Sequence, residues 1–217
     1  MIRYIHGLAL ALAAAIPAAA PLAAQPGSVS DKEVYEIGRC VVRSDRMVGV
    51  GLLQSLPLSG PNIALPGGLS AASKCAKAAG SVSPVALRGA IARALFLKDF
   101  DRFMVEPQVA QHLLVDMQLP IDEKAAHGAD AQTVALYKLG DCVVRNEVMK
   151  IESLMRTPVG SGTEEKIFEY LAPMMAACQT KGTTIRVSPA TLRSVLAQSA
   201  YNVSWRYWND QLYTAAR

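Results

Sequence analysis

The sequence is poor in the residues that most often carry chemistry. Its 217 residues include three histidines and four cysteines, 6% are aromatic and 18% are charged. Four cysteines are too few for a small scaffold in which disulfides replace the core. The net charge of +4 is low for a nucleic-acid-binding protein, which carries a dense positive patch. The 51% of hydrophobic residues excludes a disordered chain.

Common enzyme motifs are also missing. After residue 24 there is no G-x-S-x-G or S-x-x-K motif, and Gly160-Ser161-Gly162 lacks the Lys-Ser/Thr end of a phosphate-binding loop. Outside the first 24 residues only His112 and His127 remain, and their spacing fits no common metal site. We therefore expect no catalytic group, metal or cofactor, and no nucleic acid as a partner.

The first 24 residues have the pattern of a secretory signal peptide. Arg3 precedes an uninterrupted apolar run over residues 8–16, and the small residues that end at Ala24 fit a cleavage site. The run is much shorter than the roughly 20 residues that span a bilayer. We expect residues 1–24 to be cleaved and the mature chain to be exported, to the periplasm or the medium, without a transmembrane span.

The remaining sequence repeats itself. YEIGRCVVR at residues 35–43 recurs as YKLGDCVVR at 137–145, which is 102 residues later, and Met47 recurs as Met149. The pattern S-P-x-x-L-R that begins at Ser83 recurs 105 residues later. Ordered matches of this kind predict a duplicated unit. The predicted organisation is a short lead (25–30), helical repeat 1 (31–104), a connector (105–129), helical repeat 2 (130–213) and a C-terminal tail (214–217).

Each repeat has the pattern of three helices, so the predicted fold is all-α, with the two repeats packed in pseudo-twofold symmetry. The first helix is expected over residues 31–56 in one repeat and 130–156 in the other, with apolar side chains on one face. The third helix is expected to start at Pro84 or Pro189, each preceded by a serine that can cap it.

The cysteines predict two disulfides. An exported chain enters an oxidising compartment, and four cysteines allow three pairings. The duplication selects Cys40 with Cys75 and Cys142 with Cys178, at separations of 35 and 36 residues. A zinc site is the weaker alternative, because zinc cysteines usually form C-x-x-C pairs and none is present.

An aromatic stripe recurs in the third helices. Aromatic residues follow one another at i, i+4 and i+7 in both copies, which places each set on one helix face. A buried seam between the repeats is the favoured interpretation, and a ring-stacking platform for a ligand is the alternative. The residues are Phe96, Phe100 and Phe103 in the first copy and Tyr201, Trp205 and Trp208 in the second.

Four arginines also recur in the two copies: Arg43 with Arg145, and Arg88 with Arg193. Pairing between helices is the favoured role, since buried guanidinium groups are normally paired. Asp141 lies four residues before Arg145, in position for such a pair. The alternative is a pseudo-symmetric anion site.

These features favour an exported, non-enzymatic protein that binds a partner protein or a component of the cell envelope. One alternative is a hydrolase-like enzyme with a site between the repeats, where His112 or His127 would face Asp99 or Glu106. Another is a small-ligand binder that uses the aromatic stripe. The sequence leaves the oligomeric state open.

Overall fold

The computed structural model describes residues 29–53, 75, 82–100, 131–179, 185 and 187–215. This part of the chain contains helices and no strands, which confirms the all-α prediction. The predicted signal peptide, the whole connector and Phe103 lie outside the described residues. The helices are α1 (Asp31–Ser44), α2 (Arg46–Leu53), α3 (Pro84–Asp99), α4 (Ala131–Asn146), α5 (Val148–Arg156), α6 (Gly162–Cys178) and α7 (Pro189–Ala215).

Serines precede four of the described helices, and Ser161 Oγ accepts the Glu164 N–H at the start of α6. The other three do not all cap their helices in the same way. Ser30 forms a capping box with Glu33, whose backbone N–H donates to Ser30 Oγ over 3.3 Å. Ser188 Oγ accepts the Thr191 N–H at 3.2 Å. Ser83 occupies the predicted N-cap position of α3, but its side chain makes no cap hydrogen bond among the described residues. Pro84 begins α3 as expected.

The long first helix expected in each repeat is two helices, so the prediction of one continuous helix is wrong at Asp45 and Glu147. Asp45 has extended backbone angles, φ −156° and ψ 97°, which end α1. Its Oδ1 then accepts the Val48 N–H at 3.1 Å and caps the start of α2. The Glu147 backbone, at φ −130° and ψ 40°, separates α4 from α5.

These breaks change which side chains face water. A continuous first helix would place Met47 on the same face as Cys40, and Met149 on the same face as Cys142. The two methionines are 69% and 47% exposed, in the first turns of α2 and α5. The apolar face predicted from the helical spacing of the sequence therefore ends at each break.

Helices α3 and α7 pack against each other at the centre of the described structure. Helices α1 and α2 lie against α3, α4 lies against α7, and α6 lies against α4 and α5. The side chains between them form one main hydrophobic cluster. Its largest fully buried members include Ile91, Leu95, Ile151, Leu154, Leu171, Leu196 and Tyr201.

Two glycines let the outer helices lie close to the central pair. A Cβ on Gly38 of α1 would be 2.5 Å from the backbone carbon of Ala90 in α3. A Cβ on Gly140 of α4 would be 2.4 Å from Cγ1 of Val195 in α7. Larger side chains at these positions would push the helices apart.

The two disulfides join the cysteines as predicted. Cys40 in α1 is bonded to Cys75, with 5.7 Å between their Cα atoms. Cys142 in α4 is bonded to Cys178 at the end of α6, with a Cα separation of 5.8 Å. All four cysteines are therefore paired. Among the described helices, none combines the length and the apolar character needed to cross a bilayer.

Candidate functional site

The contact between α3 and α7, here called the seam, is closest at Gly89 and Ser194. A Cβ on Gly89 would lie 2.2 Å from Ser194 Cα, so the two backbones touch at this point. Buried arginines lie on both sides of this contact. A buried guanidinium is costly unless hydrogen bonds and a counter-charge stabilise it, so the partners of these arginines decide what the seam can bind.

On one side Arg88 lies in a buried polar cluster with Tyr137 and Gln198, and its Nη2 has no hydrogen-bond partner within the described residues. Arg88 is 2% exposed, and its Nε donates to Gln198 Oε1 over 3.3 Å. The Tyr137 hydroxyl donates to the same oxygen at 2.9 Å. Burial raises the pKa of Tyr137 to about 12, although the neighbouring Arg88 charge opposes this shift. The Gln198 amide oxygen thus serves as the shared acceptor of this cluster.

On the other side Arg93 lies against Tyr35, with its guanidinium carbon 4.4 Å from the centre of the ring. Arg93 is 4% exposed; its Nε donates to the Met155 carbonyl over 2.8 Å, and its Nη2 donates to the Thr157 carbonyl. Burial lowers the pKa of the Arg93 guanidinium. Within the described residues, Nη1 of Arg93 has no hydrogen-bond partner and no carboxylate contacts the group.

Arg193 lies near Arg93 but is fully paired. Its Nε and Nη2 donate to the two carboxylate oxygens of Glu164, the latter over 2.7 Å. Its Nη1 donates to Asp31 Oδ2 at 3.3 Å. Glu164 is 2% exposed and also accepts the Gly160 N–H at 2.7 Å. Arg193 therefore joins α7 to α6 and α1, which is the pairing role favoured for it from the sequence.

A small pocket, here called the Arg93 pocket, opens between these groups. Tyr35, Arg93 and Arg193 line it together with Asp31. Its lining includes Asp31, Ala86 and Ala190, which belong to the first turns of α1, α3 and α7. The pocket therefore lies near the N-terminal ends of these three helices. The rest of its wall is formed mainly by small side chains, among them Ala86, Gly89, Ala90, Ala190, Ser194 and Ala197.

The other two recurring arginines lie at the C-terminal ends of their helices. Arg145 donates to Asp141, the partner that its i−4 spacing predicts. Burial raises the pKa of Asp141, and the Arg145 charge opposes that shift. Arg43 is exposed in the last turn of α1. The structure therefore does not bring the four recurring arginines together into one site.

The aromatic stripe forms a ladder across the seam. Ring centres are 5.8 Å apart from Phe96 to Phe100, 5.8 Å from Phe100 to Tyr201 and 6.2 Å from Tyr201 to Trp205. The first three rings are buried, Trp205 is half-buried and Trp208 is 46% exposed. The stripe thus runs from the core to the surface along α7.

An ion pair beside this ladder was not predicted from the sequence. Arg46 binds Asp99 through two hydrogen bonds, 2.9 Å from Nε to Oδ1 and 2.7 Å from Nη2 to Oδ2. The Tyr201 hydroxyl donates to Asp99 Oδ2 at 3.4 Å, and the Arg46 guanidinium lies 5.6 Å from the Trp205 ring centre. Arg46 escaped notice because the corresponding residue of the second repeat, 102 positions later, is Val148.

This ion pair bears on the hydrolase alternative. Asp99 is one of the candidate acids of that alternative, and its carboxylate binds Arg46. The other candidates, Glu106, His112 and His127, lie outside the described residues. Within the described ranges no three His, Cys, Asp or Glu side chains lie close enough together to hold a metal ion.

Arg93 and Gln198 were also not predicted from the sequence. Arg93 does not recur as an arginine, because its counterpart 105 residues later is Gln198. An arginine in a run of apolar helix residues was the available clue, because such a side chain must bury its charge.

The fold and these clusters define an all-helical, two-disulfide protein with buried arginines at the contact of its two central helices. Comparison of the chain with family models, curated proteins and solved structures finds no match.

Proposed function

We propose that the chain is an exported, non-enzymatic protein, built from a duplicated helical unit, that binds a partner protein or a component of the cell envelope. The two disulfides support export, because such bonds form and persist mainly in oxidising compartments. The signal-peptide pattern over residues 1–24 supports the same location.

The contacts at the seam support the duplication. Gly89 and Ser194 are 105 residues apart, so they are the same position in the two proposed repeats, and they touch each other. Residues on a twofold axis meet their own counterparts in this way, as in a symmetric dimer interface. Pseudo-twofold packing of two tandem repeats accounts for this contact with a single assumption.

Contacts away from the seam support it as well. Gly38 lies against Ala90, and the residues that correspond to them, Gly140 and Val195, also lie against each other. The helix breaks at Asp45 and Glu147 are 102 residues apart, the same offset as the repeated YxxGxCVVR segment. Two copies of one unit with the same glycine contact and the same break explain both facts.

The binding role rests on one observation, the exposure of Met47 and Met149 at corresponding positions of the two repeats. Methionine is flexible and polarisable, and it is common on surfaces that adapt to a partner. Each of these side chains lies just after a helix break, on a frame that a disulfide holds in each repeat. This arrangement presents adaptable apolar side chains on a fixed support.

Site-specific photocrosslinking in the native envelope tests the binding role. A photoreactive residue at position 47 or 149 should give a discrete adduct. The control is the exposed position Gln132 of α4, where a photoreactive residue should give no such adduct. Substitution of the other methionine by lysine should weaken the adduct. Equal labelling at all three positions would contradict the proposal. So would substrate turnover by the purified protein that a single side-chain change abolishes.

A further inference from the structure

The starting observation is the charge of Arg93. Its side chain is 4% exposed, two of its nitrogens donate to the carbonyls of Met155 and Thr157, and Nη1 has no partner within the described residues. The two nearby carboxylates, Asp31 and Glu164, instead bind Arg193. Arg88 Nη2 also has no partner, but Arg93 lines a pocket, so a bound anion could satisfy its guanidinium.

The other side of the seam shows what the Arg93 pocket lacks. If the chain is duplicated, Arg93, Tyr35 and Arg193 correspond to Gln198, Tyr137 and Arg88. In that second cluster the Gln198 amide oxygen lies between the tyrosine hydroxyl and the arginine and accepts from both. In the first cluster Arg93 replaces this amide, so an acceptor has become a donor. An acceptor supplied by a ligand would restore the missing partner.

The charge and the walls of the pocket define the ligand. Arg93 supplies one positive charge without a bound counter-ion, while the charge of Arg193 is already balanced by two carboxylates. A single negative charge therefore suits the pocket better than a phosphate or sulfate dianion, which the carboxylate of Asp31 at the rim would also repel. The alanines and glycine of the wall are small and apolar, so a short apolar group would match their chemistry.

We propose that the Arg93 pocket binds a carboxylate that carries a short apolar group, through the guanidinium of Arg93. The chemistry fits two sources, a free short-chain carboxylic acid and the C-terminal carboxylate of a peptide that ends in alanine. The inference rests on the proposed binding function and names the ligand chemistry of one of its sites.

Titration of the oxidised, ¹⁵N-labelled full chain tests this inference. The probes are propionate, acetyl-Ala-Ala, the amidated form of that dipeptide, and inorganic phosphate. We expect saturable shifts of the Gly89 and Ser194 amide resonances with the first two probes and none with the amidated dipeptide. Tighter binding of the dipeptide identifies a peptide C-terminus as the source, and tighter binding of propionate identifies a free acid. Equal binding of the amidated dipeptide, or of phosphate, would overturn the proposal.

Three variants complete the test. Arg93→Gln places an amide where the other cluster has Gln198, and it should weaken carboxylate binding about tenfold or more through loss of a charge-assisted hydrogen bond. Ala190→Leu keeps the arginine and fills the pocket, so it should weaken binding similarly even if Arg93→Gln does not fold. Arg43→Gln removes the same charge from the far end of α1 and should leave the affinity unchanged. Full affinity in folded Ala190→Leu protein would overturn the proposal.

The outcomes for the two proposals are separate. A protein that crosslinks to a partner through Met47 or Met149 but binds no carboxylate overturns this inference and leaves the proposed function intact. A protein that binds carboxylates through Arg93 but forms no discrete adduct in the envelope overturns the partner role alone.

Discussion

Gly89 of α3 lies directly against Ser194 of α7, with no space for a side chain between the two backbones. A Cβ on Gly89 would be 2.2 Å from Ser194 Cα and 2.3 Å from its Cβ. Both helices are central to the core, so neither can move without disturbing the helices packed on its outer face. The stability of the described structure therefore depends strongly on the absence of a side chain at position 89.

Substitution of this glycine should destabilise the fold. We expect Gly89→Ala to lower the free energy of unfolding by about 1–3 kcal/mol, because the added methyl group forces the two backbones apart. Urea unfolding followed by circular dichroism measures the change. Gly51→Ala in α2 is the matched control, since a Cβ there meets nothing within 4 Å. It should raise stability by about 0.5–1 kcal/mol through the higher helix propensity of alanine. Equal effects of the two substitutions would contradict the close contact at the seam.

Each disulfide should stabilise its own half of the chain to a similar extent. The loops that they close span 35 and 36 residues. Loop-closure entropy predicts that loss of either bond lowers the free energy of unfolding by about 4 kcal/mol. Urea unfolding of the double variants Cys40→Ser/Cys75→Ser and Cys142→Ser/Cys178→Ser tests this. If one pair proves indispensable and the other has no effect, the two bonds do not have equivalent roles.

Alkaline pH should weaken the fold through Tyr137. Its pKa is raised to about 12, so the folded protein holds the hydroxyl proton more tightly than the unfolded chain does. The stabilisation from this group is fully present below about pH 10, the ordinary tyrosine pKa, and is lost as the pH rises toward 12. Burial also raises the pKa of Tyr201, which acts in the same direction.

Tyr137→Phe isolates this effect. At pH 8 it should lower the free energy of unfolding by about 1 kcal/mol, because the hydrogen bond to Gln198 is lost. Above pH 10 the unfolding free energy of the variant should fall less steeply with pH than that of the parent. The difference between the two slopes should correspond to roughly one proton per molecule. Urea unfolding at a series of pH values measures both. Parallel pH profiles for the parent and the variant would show that Tyr137 does not titrate as proposed.

The buried pair of Glu164 and Arg193 should contribute more to stability than an exposed pair does. Glu164→Gln leaves the Arg193 guanidinium with only Asp31 as a charged partner, and it should lower the free energy of unfolding by about 2–3 kcal/mol. The control is Glu36→Gln, which breaks the exposed pair with Arg39 and should change stability by about 0.5 kcal/mol or less. Thermal unfolding of both variants tests the difference, and similar losses would contradict it.

Much of the helical framework could be predicted from the sequence. The repeated YxxGxCVVR segments selected one disulfide pairing out of three, and both predicted bonds are present. Pro84 marked the start of α3, because proline has no N–H to lose at a first helical position. The aromatic spacing placed Phe96, Phe100 and Tyr201 on faces that meet, since the side chains of one helix face point in one direction.

Features that depend on neighbouring helices could not be predicted in this way. The breaks at Asp45 and Glu147 interrupt segments whose apolar period fits a continuous helix, and Asp45 gave only the weak signal of a possible cap. The Arg46–Asp99 ion pair joins residues 53 positions apart, which local pattern does not reveal. No partner for Arg93 could be predicted from the sequence, because it donates to the backbone carbonyls of Met155 and Thr157. Every residue carries such a carbonyl, so the sequence does not mark these two.

The most direct test of an exported, duplicated, disulfide-bonded protein is peptide mapping by mass spectrometry. The protein is taken from all fractions of its native cell and alkylated without reduction. We predict a mature chain that begins at Gln25, linked peptides that contain Cys40 with Cys75 and Cys142 with Cys178, and no alkylated thiol. A chain found in the cytoplasm with Met1 retained and its cysteines alkylated would contradict export. A Cys40–Cys142 bridge would contradict the duplication of two separately stapled units.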